Sequence, residues 1–224
     1  MSCVEEKVTF RNKDGIILCG IIKKPYQNNS KNKKNQKFPV VVFSHGLNSG
    51  KDSSRNNAIA DSLLGKGIGS FLIDFTGHGE SEGLISADLV NQQVNDLEAA
   101  INFIESKSFT AKIAVSGSSL GGTVAIIKAA KDKRVKSLVL RSPVPDHTFD
   151  AADKIKIPVL IVQGELDEEI MLHSKELVKH LRNGRLEIIK GASHLYENPK
   201  DFKEMVDKTV NFFADTLSNR KIIK

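Results

Sequence analysis

The chain has 224 residues, 40% of them hydrophobic, which suits one sizeable α/β core and leaves too little chain for two independent ones. Its 33 Lys and Arg against 27 Asp and Glu give a formal charge of +6 and a pI near 9.2, a balance that would fit a nucleic-acid or membrane-surface protein. Six of those lysines lie in the acid-free run KKPYQNNSKNKKNQK from Lys23 to Lys37, so the remainder is formally neutral. The basicity belongs to one segment.

The first residues, MSCVEEK, are acidic and lack an apolar run, and the longest aliphatic stretches, such as Ile157–Val162, are far too short to span a bilayer. Neither export nor membrane insertion is expected. Cys3 and Cys19 form no CxxC or Cys/His cluster, so the expectation is a reducing cytoplasm with no disulfide framework and no zinc site.

Taken in chain order, Val4–Arg11 and Ile16–Lys24 flank Asn12-Lys13-Asp14-Gly15, and the Asp-Gly predicts an antiparallel hairpin. The lysine-rich connection, residues 23–38, follows. From there apolar runs alternate with amphipathic ones, the pattern of a mostly parallel sheet wrapped by helices. Phe38–Ser44 reads as a strand buried on both faces because its apolar run is continuous. Gly69–Phe75, Lys112–Ser116, Lys136–Leu140, Pro158–Val162 and Gly184–Ile189 repeat the pattern, for eight strands in all. Val90, Val94, Leu97, Ile101 and Ile104 share one helical face. Further helices are predicted at 53–65, 120–131, 171–183 and 199–217. The whole chain, 1–224, is expected to form a single domain of α/β class.

Gly117-Ser118-Ser119-Leu120-Gly121 fits G-x-S-x-G between a predicted strand and a predicted helix. A sharp turn there exposes the Ser119 hydroxyl above the strand ends, at a helix N-terminus that favours developing negative charge. Outside that setting the motif is only a glycine-rich turn. A serine becomes a nucleophile when a base takes its proton and an acid orients the base. Asp167, in G-E-L-D, follows the fifth parallel strand, and His194, in G-A-S-H, follows the last. Functional groups of open α/β sheets gather at such ends. Glu165 and Asp146 are rival acids, and Asp167 is also a plain helix cap candidate. His173 and His180 read as residues of an amphipathic helix. Ser44-His45-Gly46-Leu47 ends the first parallel strand, and the backbone N–H groups of Leu47 and Leu120 are the candidate oxyanion donors.

These motifs, with D-F-T-G-H-G-E-S-E-G at 74–83, closely resemble the α/β-hydrolase superfamily over nearly the whole length, and within it serine esterases of the cinnamoyl/feruloyl esterase and acylaminoacyl-peptidase-like group. The resemblance implies an α/β-hydrolase fold and a carboxylesterase-type serine hydrolase acting on esters or thioesters through an acyl-enzyme. Ser119, His194 and Asp167 would be its triad. His78, in G-H-G, matches a structural loop. Many relatives insert a lid after the sixth strand, where only PVPDHTFDAADK is available, so no cap domain is expected. The open site would then be walled by His45, Leu47, Leu120, Val144, Pro145, His147 and Phe149. The expected partner is a small-molecule acyl substrate, with no cofactor, metal, nucleic acid or membrane, acting as monomer or homodimer. A peptidase or amidase on the same triad, or a non-catalytic ligand binder, is the alternative.

Overall fold

The computed structural model describes residues 4–25, 37–145 and 148–218. The chain opens with β1 (Val4–Arg11) and β2 (Ile17–Lys24), paired antiparallel from Val4 with Lys24 to Arg11 with Ile17. Asn12 builds the turn between them. Its Oδ1 accepts the N–H groups of Asp14 and Ile16, and its Nδ2 donates to Asp96 Oδ1. That side-chain closure takes Ile16 out of the strand and makes the turn one residue longer than Asp-Gly alone predicts.

The parallel strands are β3 (Phe38–Ser44), β4 (Gly69–Ile73), β5 (Thr110–Ser118), β6 (Val135–Arg141), β7 (Val159–Gly164) and β8 (Gly184–Ile189). The sheet order is β1-β2-β4-β3-β5-β6-β7-β8, with β2 antiparallel to β4 and every later pairing parallel. Lys23 and Lys24 therefore belong to β2 and Phe38 to β3, which corrects the 23–38 connection at both ends. Its middle, 26–36, lies outside the described residues.

The helices are α1 (Ser54–Leu64), α2 (Leu89–Glu105), α3 (Leu120–Lys131), α4 (Phe149–Ala152), α5 (Glu168–His180) and α6 (Pro199–Leu217). Successive strand residues point to opposite faces. Val40 and Val42 share one core cluster with residues of α2, α3 and α5, while Val41 and Phe43 share the other with residues of α1 and α6. Both faces are covered, which is why the strand sequences are continuously apolar; each fully buried aliphatic side chain contributes about 1.5–3 kcal/mol. Helix α5 begins three residues earlier than predicted because Asp167 occupies its N-cap position. Between β6 and β7 the described residues hold only the one-turn α4, so the α/β-hydrolase fold carries no cap domain. No helix among the described residues is long and apolar enough to cross a membrane.

Parallel strands end on a common edge, and the strained backbone sits there. Asn48, Ser119, Ser142 and Tyr196, the described non-glycine residues with positive φ, all lie in segments leaving β3, β5, β6 and β8. Helix α3 approaches that edge closely. A Cβ on Gly121 would fall 2.2 Å from the Ser44 carbonyl oxygen and 2.4 Å from that of His45, both main chain. Gly121→Ala therefore pushes α3 off β3 and is expected to lower unfolding stability by about 2–4 kcal/mol. An unchanged urea midpoint for that variant would contradict the packing described.

Candidate active site

Ser119 sits between β5 and α3 with φ 52° and ψ −123°. Its N–H donates to the Arg141 carbonyl at 2.9 Å, and its own carbonyl accepts the N–H of Gly122 at 2.8 Å. These bonds hold a conformation that costs an L-residue about 1–3 kcal/mol. The half-buried hydroxyl lies 3.3 Å from His194 Nε2, and His194 Nδ1 lies 2.6 Å from Asp167 Oδ2. A carboxylate only accepts, so the imidazole proton belongs on Nδ1 and Nε2 faces Ser119 as the acceptor. Asp167 occupies the α5 N-cap position, yet its side chain makes no cap hydrogen bond. It turns to His194 and also accepts from Gln163 Nε2 at 3.2 Å.

Of the rival acids, Glu165 accepts the Gly191 N–H through Oε2 at 2.8 Å and so braces the β8 loop. Asp146 lies outside the described residues.

The two expected oxyanion donors share one mode of orientation. In a trans peptide the C=O and N–H point in opposite directions. His45 Nδ1 bonds the Gly46 carbonyl at 2.8 Å, which aims the Leu47 N–H the other way. The Ser119 carbonyl, held by Gly122, does the same for the Leu120 N–H, which opens α3 and has no intrahelical acceptor. Gly46 abuts the serine turn: a Cβ on it would meet Ser119 Cβ at 3.2 Å.

His45 itself corrects an expectation. The ring is buried, both nitrogens are bonded to backbone, Nε2 accepting the Phe75 N–H at 3.1 Å, and it packs on Phe75. It shapes the loop and is no wall residue. Phe149 is corrected as well, since its ring packs on His173 and His180 along α5. Those two histidines lie on α5 as expected, and His180 Nδ1 also bonds Asp153 Oδ1 at 3.0 Å. Val144 and Pro145 follow Ser142 on the site edge, Val144 accepting the Thr123 hydroxyl through its carbonyl. His147 lies outside the described residues.

Sequence reasoning missed the supports of this site. Asp74, buried at the end of β4, accepts the Lys51 backbone N–H and Nζ at 2.7 Å each and the Glu80 N–H at 2.9 Å. Burial alone would lower the Lys51 pKa, but Asp74 and Glu80 outweigh it and raise it. Hydrogen bonds from Lys51 and Lys7 hold Glu80 down to about 2. This tie locks the loop after β3 to the loop after β4. Ser174 donates to Gln163 Oε1 at 2.9 Å, extending the chain behind Asp167. Tyr196, two residues past His194, is buried, with its hydroxyl donating to the Val162 carbonyl and bonded to Ser142 Oγ at 2.9 Å; burial pushes its pKa up to about 12. Arg141 lies fully buried, bonded to Asn56 Oδ1 at 2.5 Å. Burial pushes its pKa down to about 10, still cationic at neutral pH. D-x-x-G-H-G and the position of Tyr196 beside His194 were the available signals; nothing in the sequence marks Gln163 or Arg141.

A model of the family described as serine aminopeptidase, S33, matches residues 35–148. A putative phosphoribosyl transferase of Mycobacterium tuberculosis is 26% identical over 183 residues, 80% of this chain and 41% of that protein. A thiohydrolase of Arthrinium phaeospermum is 30% identical over 155 residues, 67% of this chain and 47% of that protein. The chain thus spans less than half the length of both. The structure of Est1E from Butyrivibrio proteoclasticus with ferulic acid superposes with a TM-score of 0.83 at 22% identity, covering 93% of this chain and 99% of that one. At that identity the likeness is one of fold.

Burial pushes the His45 pKa from 6.5 down to about 4, against the opposing pull of the Gly46 carbonyl. A histidine neutral when folded and protonated when unfolded favours unfolding as pH falls below 6.5. The His45 contribution is full above that value and is lost as pH falls towards the folded pKa, a decline of about 3 kcal/mol. Denaturant titrations of wild type and His45→Asn across that window should show a shallower pH slope in the variant; equal slopes would contradict the assignment.

Proposed function

From a chain that belongs to the serine aminopeptidase S33 family, we propose a serine hydrolase that cleaves carboxylic esters, simple thioesters included, through an acyl-enzyme. The observation that carries this is the continuous contact from Asp167 through His194 to Ser119, with Nε2 left as the acceptor at the hydroxyl. Ser119 Oγ bonds to the acyl carbon as its proton passes to His194 Nε2. The carbonyl electrons move to oxygen, where the Leu47 and Leu120 N–H groups receive the charge. Collapse breaks the bond to the leaving group, which takes the proton from His194. Water then attacks the acyl-enzyme, again giving its proton to His194, and the acid departs as Ser119 is reprotonated. Asp167 keeps the Nδ1 tautomer and balances the imidazolium. The reaction calls for no cofactor, and its partner is a small acyl substrate.

Cleavage of amides on the same groups is the second reading, favoured by the description of the matched family. Turnover of an aminoacyl-naphthylamide faster than an ester of equal size would select it. For either bond, Ser119→Ala should lower kcat/KM at least about 1,000-fold with far-UV dichroism unchanged, and Asp167→Asn about 100-fold or more. Undiminished turnover of a short p-nitrophenyl ester by Ser119→Ala would sink the proposal, and a fully inert wild type would leave a ligand binder.

A further inference from the structure

The charge of the described residues is segregated along the strand direction. On the edge where the parallel strands begin, Lys66, Lys133, Lys154, Lys156 and Arg182 are all exposed, and none has an acidic partner among the described residues. On the opposite edge, around Ser119, the sign reverses. Glu168 and Glu169 project from the first turn of α5 beside Asp167, Glu165 precedes them, and Glu197 follows His194 by three residues. The described loops leaving β3 to β8 contain two bases, Lys51 and Lys190. Lys51 is buried and paired with Asp74 and Glu80. Lys190 is exposed, as is Lys200 in the first turn of α6, and Arg55, in the first turn of α1, donates to the Leu195 carbonyl. A protein of net charge +6 thus presents its candidate site beside an acidic rim on the segments leaving β7 and β8.

Beside that rim three large apolar side chains are exposed. Leu47 is 55% exposed, Leu166 65% and Leu195 46%, and each is, or directly adjoins, a residue of the proposed machinery: the Leu47 donor, Asp167 and His194. The Leu166 N–H donates to the Ala192 carbonyl at 2.9 Å, so the loops carrying Leu166 and Leu195 are tied together. Large aliphatic side chains held in water around a candidate site mark a surface that an apolar ligand covers. Charged groups beside such a site act on a ligand before it is bound, attracting the opposite sign and repelling their own.

Resting on the hydrolase reading above, we propose that the substrates are esters with an apolar, uncharged or cationic acyl chain, and that acyl groups carrying carboxylate or phosphate are excluded by the acidic rim. Glu168 and Glu169 set the charge preference, and Leu166 and Leu195 set the preference for chain length. The test compares kcat/KM for the p-nitrophenyl esters of butyrate, hemisuccinate and a trimethylammonium-bearing butyrate, at low ionic strength and in roughly 0.5 M salt. At low salt the hemisuccinate should fall about 10-fold or more below the butyrate, with the cationic ester equal to or above it. Salt, or Glu168→Gln with Glu169→Gln, should close that gap. Leu166→Ser with Leu195→Ser should lower the octanoate-to-acetate ratio while acetate turnover persists. A hemisuccinate turned over as fast as butyrate, or a gap that neither salt nor the glutamine variants alter, overturns the charge assignment, and an unchanged octanoate-to-acetate ratio overturns the leucine rim. Failure of wild type to turn over any ester, or turnover that survives Ser119→Ala, overturns the hydrolase reading and the substrate class with it.

Discussion

The arrangement depends on one backbone constraint, the left-handed conformation of Ser119 wedged between β5 and α3. The turn is held because the Ser119 N–H is anchored on Arg141 of β6 and its carbonyl on Gly122 of α3. The same carbonyl bond orients the Leu120 N–H, so one residue fixes both a hydroxyl and a donor. The close approach of Gly121 to the end of β3 brings the Leu47 peptide to the same spot. Relaxing that turn would move the hydroxyl and both peptides at once.

The other elements hold the partners of that turn in place. His194 is carried on a loop braced from three sides: Glu165 on the Gly191 N–H, Arg55 on the Leu195 carbonyl, and the Tyr196 phenol beneath, on Val162 and Ser142. Tyr196 and Ser142 both take positive φ, so this brace is strained and is maintained by its hydrogen bonds and burial. Asp167 is set by the start of α5 and by Gln163. The loop carrying Leu47 is set by His45 and by the Lys51–Asp74 pair. Each functional group therefore has a separate support on rigid elements.

The strand and helix order was legible in the sequence because short apolar runs alternate with amphipathic ones, the pattern of strands covered on both faces by helices, and the Val90-to-Ile104 stripe marks one such helix face. That Ser119, Asp167 and His194 lie together was legible because each is in a segment that leaves a parallel strand. The supports were not. Asp74 with Lys51, Tyr196 with Ser142 and Arg141 with Asn56 join residues 23, 54 and 85 positions apart, and a buried polar pair of that kind leaves no periodic trace. His45 was misread as a wall residue since a histidine after a strand looks the same whether its ring faces the cleft or the backbone. Phe149 was misread because its packing on His173 and His180 joins residues 24 and 31 positions apart. The net charge of +6 also hid the acidic character of the edge that matters.

The central claim is that Ser119, and no other hydroxyl, is the activated nucleophile. The most direct measurement is peptide mapping by mass spectrometry after reaction of the folded protein with a fluorophosphonate, which captures a serine only when a base has drawn off its proton. The account predicts a single stoichiometric adduct on the peptide containing Ser119, abolished by Ser119→Ala and slowed by orders of magnitude in His194→Gln. An adduct on another residue, or labelling of Ser119 at the same rate without His194, would contradict it.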